Sequence, residues 1–142
     1  MASTIYNSFK RDIANGSIDL DTDTIKVMLT SGSYAANADT HTKRSDVTNE
    51  VTGTNWSAGG VALANKTVTA DNTNDRGVFD ADDVSVSTAT FTGATQAVLY
   101  KSRGGASSAD ELIACIDLGG TFSPTAGTFT ITWSSNGILT LS

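Results

Sequence analysis

The sequence predicts a mainly β fold: a single-domain antiparallel β-sandwich or barrel of about seven short strands with a short N-terminal helix. Three observations carry that reading. Thr and Ser number 22 and 16 in a chain of 142 residues, whereas the good solvent-facing helix formers are scarce, with 5 Lys and 2 Glu. Apolar residues alternate with polar ones in several separate stretches, the period of a strand with one face on a core. Clusters of Gly, Asn, Asp and Ser punctuate those stretches at intervals near ten residues, as turns do. A chain of this length buries roughly two-thirds of its unfolded surface as one domain, so 1–142 reads as a single unit.

Residues 1–16 read as helical, because Ile5, Phe9 and Ile13 recur every four residues, Ser3 stands where a cap belongs and Gly16 supplies the stop. Ile25, Val27 and Leu29 then alternate with Lys26, Met28 and Thr30 and make the first strand. Residues 31–60 have little periodicity and many Ser, Asn, Asp, Thr and Gly; they read as a long surface excursion with strand pieces near Val47 to Val51. Loops of that length sit at functional sites or interfaces. Strand patterning resumes at Val61, Leu63 and Val68, and the turn-rich residues 71–77 predict a hairpin or a crossover before Val78 and Phe79. Three further strands follow, one carrying Val84, Val86 and Thr88, one running from Ala97 to Lys101 and one from Leu112 to Leu118. At the C-terminus Phe129, Ile131 and Trp133 alternate with threonines, Ser134-Ser135-Asn136-Gly137 turns the chain, and Ile138 to Leu141 returns, the pattern of a β-hairpin.

Charge and cysteine usage narrow the function classes. A net charge of -6, a pI near 4.4 and no run of Lys or Arg argue against nucleic acid as a partner. No apolar run approaches the ~18 residues of a membrane span, so no membrane partner is expected. No basic start followed by an apolar stretch marks a secretory signal, so synthesis in a reducing cytoplasm is the expectation. Cys115 is alone, and its apolar neighbours Leu112, Ile113, Ala114 and Ile116 make it a buried strand thiol.

Candidate chemistry fails on spacing. Asp19, Asp21 and Asp23 resemble the start of a calcium loop, but the sixth position is Thr24 where Gly is needed, and the twelfth is Thr30 where an acid is needed. Asp80, Asp82 and Asp83 lack the ligand spacing as well. His41 is the one histidine, which excludes a site built on several imidazoles. The segment Gly105-Ala106-Ser107-Ser108-Ala109 lacks the closing glycine of a nucleophile elbow, and neither a phosphate-cradling loop nor a dinucleotide fingerprint is present. No catalytic residue, metal or cofactor is therefore expected. Gly59-Gly60 and Gly119-Gly120 read as backbone turns. Among the aromatics, Phe79, Phe91, Phe129 and Trp133 read as core. Tyr34 and Trp56, in the long excursion, are candidates for a contact surface.

Asn15-Gly16-Ser17-Ile18-Asp19-Leu20-Asp21-Thr22-Asp23-Thr24-Ile25-Lys26-Val27-Met28-Leu29 resembles small virion structural proteins of tailed bacteriophages. The likeness extends to Ser57-Ala58-Gly59-Gly60-Val61-Ala62-Leu63-Ala64-Asn65-Lys66-Thr67-Val68-Thr69, to Val98-Leu99-Tyr100-Lys101 and to Ile116-Asp117-Leu118-Gly119-Gly120. The resemblance implies a non-enzymatic β-rich protein resident in the virion and supplies no catalytic residues. An acidic, Thr- and Ser-rich, Lys-poor surface suits a protein held in many soluble copies on one lattice. The resulting expectation is a capsid decoration (cement) protein, a homo-oligomer, taken as a trimer, on the major capsid protein. Tyr6, Phe9, Tyr34 and Trp56 are its candidate interface residues. The alternatives are a tail or fibre-tip module that recognises a host surface, and a tail-tube or neck component.

Overall fold

The alternation of Ile25, Val27 and Leu29 produces the central strand of the molecule. In the computed structural model, which describes residues 3–142, this strand, β2 (Ile25–Thr30), lies inside the largest sheet. The chain enters through β1 (Thr4–Ile5) and α1 (Asn7–Ala14). After β2 come β3 (Glu50–Val51), β4 (Val61–Ala62), β5 (Thr67–Asp71), β6 (Arg76–Asp80), β7 (Val84–Ala89), β8 (Ala94–Lys101), β9 (Leu112–Phe122), β10 (Gly127–Ile131) and β11 (Leu139–Leu141). All pairings among them are antiparallel. The main sheet runs β1-β9-β8-β2-β3, with β4 sharing the outer flank of β2. A second sheet has the order β11-β6-β5, and β10 pairs with β7.

The main sheet is buried on both faces, which gives a sandwich-like, mainly β architecture. On one face Ile25, Val27 and Leu29 join Phe9 of α1, Phe79 of β6, Ile113 of β9 and Phe129 of β10 in the major core. Aromatic rings organise part of it: Trp56 meets Phe129 edge-on at 5.7 Å and Phe91 meets Phe129 at 5.0 Å, each pair near perpendicular. Edge-to-face contacts set the positive ring edge against the negative face and add about 0.5–1.5 kcal/mol beyond burial. On the opposite face Met28, Val98, Tyr100, Leu112 and Cys115 form a second core with Tyr6 and Tyr34. Its cover is the excursion after β2, which is therefore a strap across the sheet.

Three sequence expectations change. The segment read as helical over 1–16 is shorter: α1 starts at Asn7, its N-cap is Tyr6 with no side-chain cap bond, and the described residues before it pair as β1 with β9. Residues 1 and 2 lie outside the described residues. The Ser3 hydroxyl accepts the Asp117 amide instead of capping a helix, and Ile5 sits at a sheet edge. Pairing with Ala114 and Cys115 gives this backbone its partners in the sheet instead of in a further helical turn. The C-terminal hairpin also does not form: β10 pairs with β7, and β11 pairs with β6. Residues 134–137 do turn, with the Gly137 amide bonded to the Ser134 carbonyl. Trp133, however, is anchored at the corner between β6 and β7, its amide donating to Asp83 and its indole N–H to the Asp82 carbonyl. The turn thus carries the chain from one small sheet to the other. Last, 31–60 does run over the surface, but Tyr34, Val51 and Trp56 from it are buried and tie it to the body. The turn-rich residues 71–77 do close the β5–β6 hairpin, Asp71 Oδ1 accepting the amides of Thr73 and Asn74.

Candidate functional site

The four candidate interface residues are all core residues. Tyr6, Phe9 and Trp56 are 0% exposed and Tyr34 is 1% exposed. Phe9 and Trp56 belong to the major core, Tyr6 and Tyr34 to the second. None presents its side chain to a partner. Two of them tie the strap down: the Tyr6 and Tyr34 hydroxyls are 2.7 Å apart, and that of Tyr34 lies 2.9 Å from His41 Nδ1. Because the Asn37 amide also donates to this nitrogen, Nδ1 is an acceptor and the Tyr34 hydroxyl donates to it. Burial pushes the Tyr34 phenol up to about 12 and raises Tyr6 further, so both hydroxyls keep their protons. The Asn7 amide, bonded to the Ala38 carbonyl, and its side chain, bonded to Asp39, hold α1 to the same strap.

Of the two aspartate runs, Asp19, Asp23, Asp80 and Asp83 accept backbone amides. Asp19 Oδ1 accepts the amides of Asp21 and Thr22, and Asp23 accepts the amide of Asp19 while pairing with Lys101 at 2.8 Å. Asp82 accepts from the Asn65 side chain and Asp83 from the Trp133 amide. Cys115 is a buried strand thiol, pushed up to about 12 by burial and donating to Gln96 Oε1. His41 makes contacts that pin the strap.

An ion cluster secures the end of the strap to the start of β9. Arg103 donates two bonds to Glu111, at 2.6 and 3.0 Å, and Lys43 reaches the same carboxylate at 3.4 Å. Arg44 pairs with the buried Asp110 at 2.8 Å and lies over the Tyr100 ring. Burial alone would raise the Glu111 carboxyl, but the Arg103 bond and the two cations outweigh it and hold the group below its ordinary value. The unfolded chain therefore binds the proton first as pH falls, and the stabilisation present above about pH 4.3 is lost as pH drops through the lower folded value. We expect Glu111→Gln to cost about 2 kcal/mol near neutral pH, a buried-pair figure discounted because both cations are partly exposed. Melts from pH 7 to pH 3 check this, the gap between wild type and variant closing as acid titrates Glu111.

The surface holds an open apolar groove at β5. Between the end of α1 with its following turn and the sheet β11-β6-β5 lies a groove of about 460 Å³. One wall is Ile13, Ile18 and Leu20, and the other is Val68, Phe79 and Leu141. Val68 is 51% exposed and Leu141 39%. The register pairs Val68 with Phe79 and Phe79 with Leu139, so these three share one face of the sheet, and that face leads from the major core out to β5. Asp19 and Asp21 form the lip, and among the described residues no cation lines the groove. Among the described residues β5 pairs with β6 alone, and Thr67, Val68, Thr69 and Ala70 are exposed without a charge or a proline between them. Edge strands are normally blunted by such residues, by bulges or by cover. Two other strands are treated differently: β10 pairs through a bulge, and β7 is covered where the Asn55 side chain donates to the Thr88 carbonyl. Sequence reasoning missed this groove. The one local signal was an uncharged strand lying between a lysine and an aspartate.

Fold and surface together define a mainly β, sandwich-like protein with a buried aromatic core and an open, acid-lipped apolar groove. Among the described residues no helix is long and apolar enough to cross a membrane. No protein-family model, curated protein or solved structure matches the chain.

Proposed function

We propose that this chain is a non-enzymatic structural protein of a bacteriophage virion, a decoration protein that sits on the outside of the head as a homo-oligomer, a trimer, and braces the major capsid lattice. The observation that carries the reading is an edge strand, β5, without a charge or a proline over its exposed residues, beside an uncovered apolar groove. A strap, two cores and an ion cluster fix the body, while the groove beside β5 leaves Val68 and Leu141 uncovered. Uncovered apolar surface next to an unblunted strand is what a protein presents when a partner completes it. The sequence resemblance to virion proteins supplies the kind of partner. An acidic exterior keeps many copies soluble before assembly. Bracing would then follow from linkage, since a protein that binds only the assembled shell stabilises it by RT ln(1 + [L]/Kd).

Cryo-electron microscopy of the particle tests the reading. Copies at regular sites over the head lattice are the expected result, with shells lacking the protein disrupting at lower temperature. Copies confined to the tail would overturn it and favour a tail or neck component.

A further inference from the structure

We infer that Asn15 is a site of self-modification: the backbone nitrogen of Gly16 attacks its side-chain amide, ammonia leaves, and the residue ends as aspartate or isoaspartate. The second Asn-Gly pair, Asn136-Gly137, is kept as the amide by the fold. The inference does not depend on where the protein sits on a particle. In sequence the two pairs are alike, since in both the attacking nitrogen belongs to a glycine, which has no Cβ to crowd it. The structure separates them on three counts. First, among the described residues the Gly16 amide has no hydrogen-bond partner, whereas the Gly137 amide donates to the Ser134 carbonyl at 2.9 Å. Second, the peptide must turn toward the side chain, at Asn15 from a ψ of 2°. Among the described residues nothing lies within 4 Å of a would-be Cβ on Gly16, so the chain has room to turn there. Gly137 is wedged against β6, where a Cβ would collide with Val78 and the Phe79 carbonyl, and the following amide, Ile138, is bonded to that same carbonyl. Third, a donor stands at the oxygen on which charge gathers: the Ser17 amide donates to Asn15 Oδ1 at 2.9 Å. A backbone N–H so placed stabilises a tetrahedral oxyanion, as it does in acyl-transfer sites. Asn136 Oδ1 has only a longer contact, with Arg76 at 3.4 Å.

Water is the co-reactant and no oxidant or reductant is needed. The Gly16 N–H gives its proton to solvent hydroxide as the nitrogen bonds to Asn15 Cγ. The tetrahedral carbon then expels the side-chain nitrogen, which takes a proton from water and leaves as ammonia, and a cyclic imide remains. Water opens the imide at either carbonyl. Attack at the side-chain carbonyl gives aspartate with the main chain restored, and attack at the main-chain carbonyl gives isoaspartate, with the backbone rerouted through the side chain and one methylene longer. Either product adds one negative charge to the -6 of the chain. The position of that charge matters, because Gly16 lines the groove whose lip is Asp19 and Asp21. Ageing therefore marks the entrance of the groove and leaves the Asn136 turn unchanged.

Peptide mapping by mass spectrometry tests this on the full chain, held in mildly alkaline buffer either folded or unfolded in urea and sampled over time. In the folded protein the Asn15 peptide is expected to gain one mass unit and split into aspartate and isoaspartate forms. It should do so about tenfold or more faster than the Asn136 peptide, the factor that breaking one backbone hydrogen bond imposes on reaching a transition state. In urea both pairs are released, and the two peptides should convert at like rates. Equal conversion of the two in the folded protein, or faster conversion of Asn136, would overturn the inference. A gap that persists in urea would do the same, because the difference would then lie in the neighbouring sequence and not in the fold. Ion exchange gives a second readout on intact protein. Aged wild type should yield a more acidic species that is lost in Asn15→Gln and kept in Asn136→Gln, and the opposite pattern would place the modification at the wrong pair.

Discussion

Gly60→Ala should destabilise the fold by about 3 kcal/mol or more, the sum of a forced left-handed backbone and an overlap with a neighbouring strand. Gly60 has φ of +72°, and a Cβ there would collide with the Val27 carbonyl, against which the 59–60 turn lies. The turn cannot retreat, because the Gly59 amide donates to Glu50 Oε1, the Gly59 carbonyl accepts the Tyr100 hydroxyl and the Gly60 amide bonds the Ser57 carbonyl. Gly93 is the matched control: its φ is +80°, yet nothing lies within 4 Å of its would-be Cβ. Gly93→Ala should therefore cost only about 1–2 kcal/mol, the backbone part alone. Urea unfolding of the two variants separates the contributions. Equal losses would show that the close approach to β2 matters little.

Trp56→Ala is expected to be of similar size, about 3–5 kcal/mol, which is the usual cost of emptying an aromatic site in a core. Trp56 is fully buried and contacts both Phe91 and Phe129, so its removal leaves a cavity that two rings cannot collapse to fill. Trp56→Phe should behave differently. The indole Nε1–H is buried with no hydrogen-bond partner among the described residues, so phenylalanine removes an unsatisfied donor along with some volume. We expect a loss below about 1.5 kcal/mol for it. Tryptophan fluorescence suits the measurement, since the residual signal comes from the half-buried Trp133. A Trp56→Phe variant as unstable as Trp56→Ala would mean that the indole nitrogen has a partner after all.

These residues also mark how far the sequence could be read. The β2 strand and the β5–β6 hairpin were legible because each is specified locally, the first by alternation and the second by Asp71 and its turn. The β10–β11 pairing was misread because an Asn-Gly turn says that the chain reverses, not which strand it meets afterwards. The side chain and amide of Trp133 decide that, through contacts with residues 82 and 83, some fifty positions away. Tyr34 and Trp56 stood in polar, aperiodic sequence, which marks irregular backbone. It does not mark the exposure of each side chain, and a strap that runs irregularly over the surface still buries these two. The groove was out of reach for the same reason, since its walls join residue 13 to residues 68, 79 and 141.

The pairing of β1 with β9 has a consequence in time. It sets Thr4 opposite Cys115 and Ile5 opposite Ala114. At synthesis rates of about 5–20 residues per second, the first strand waits roughly 6–20 s on the ribosome for its partner. During that interval α1 has lost its attachment at one end, and the second core lacks Leu112 and Cys115. Pairing β1 with β9 thus closes a long loop, which slows folding. Through all of it the uncharged edge at β5 is available to any other nascent chain, so yield in the cell should depend on chaperone capacity more than on the stability of the finished fold.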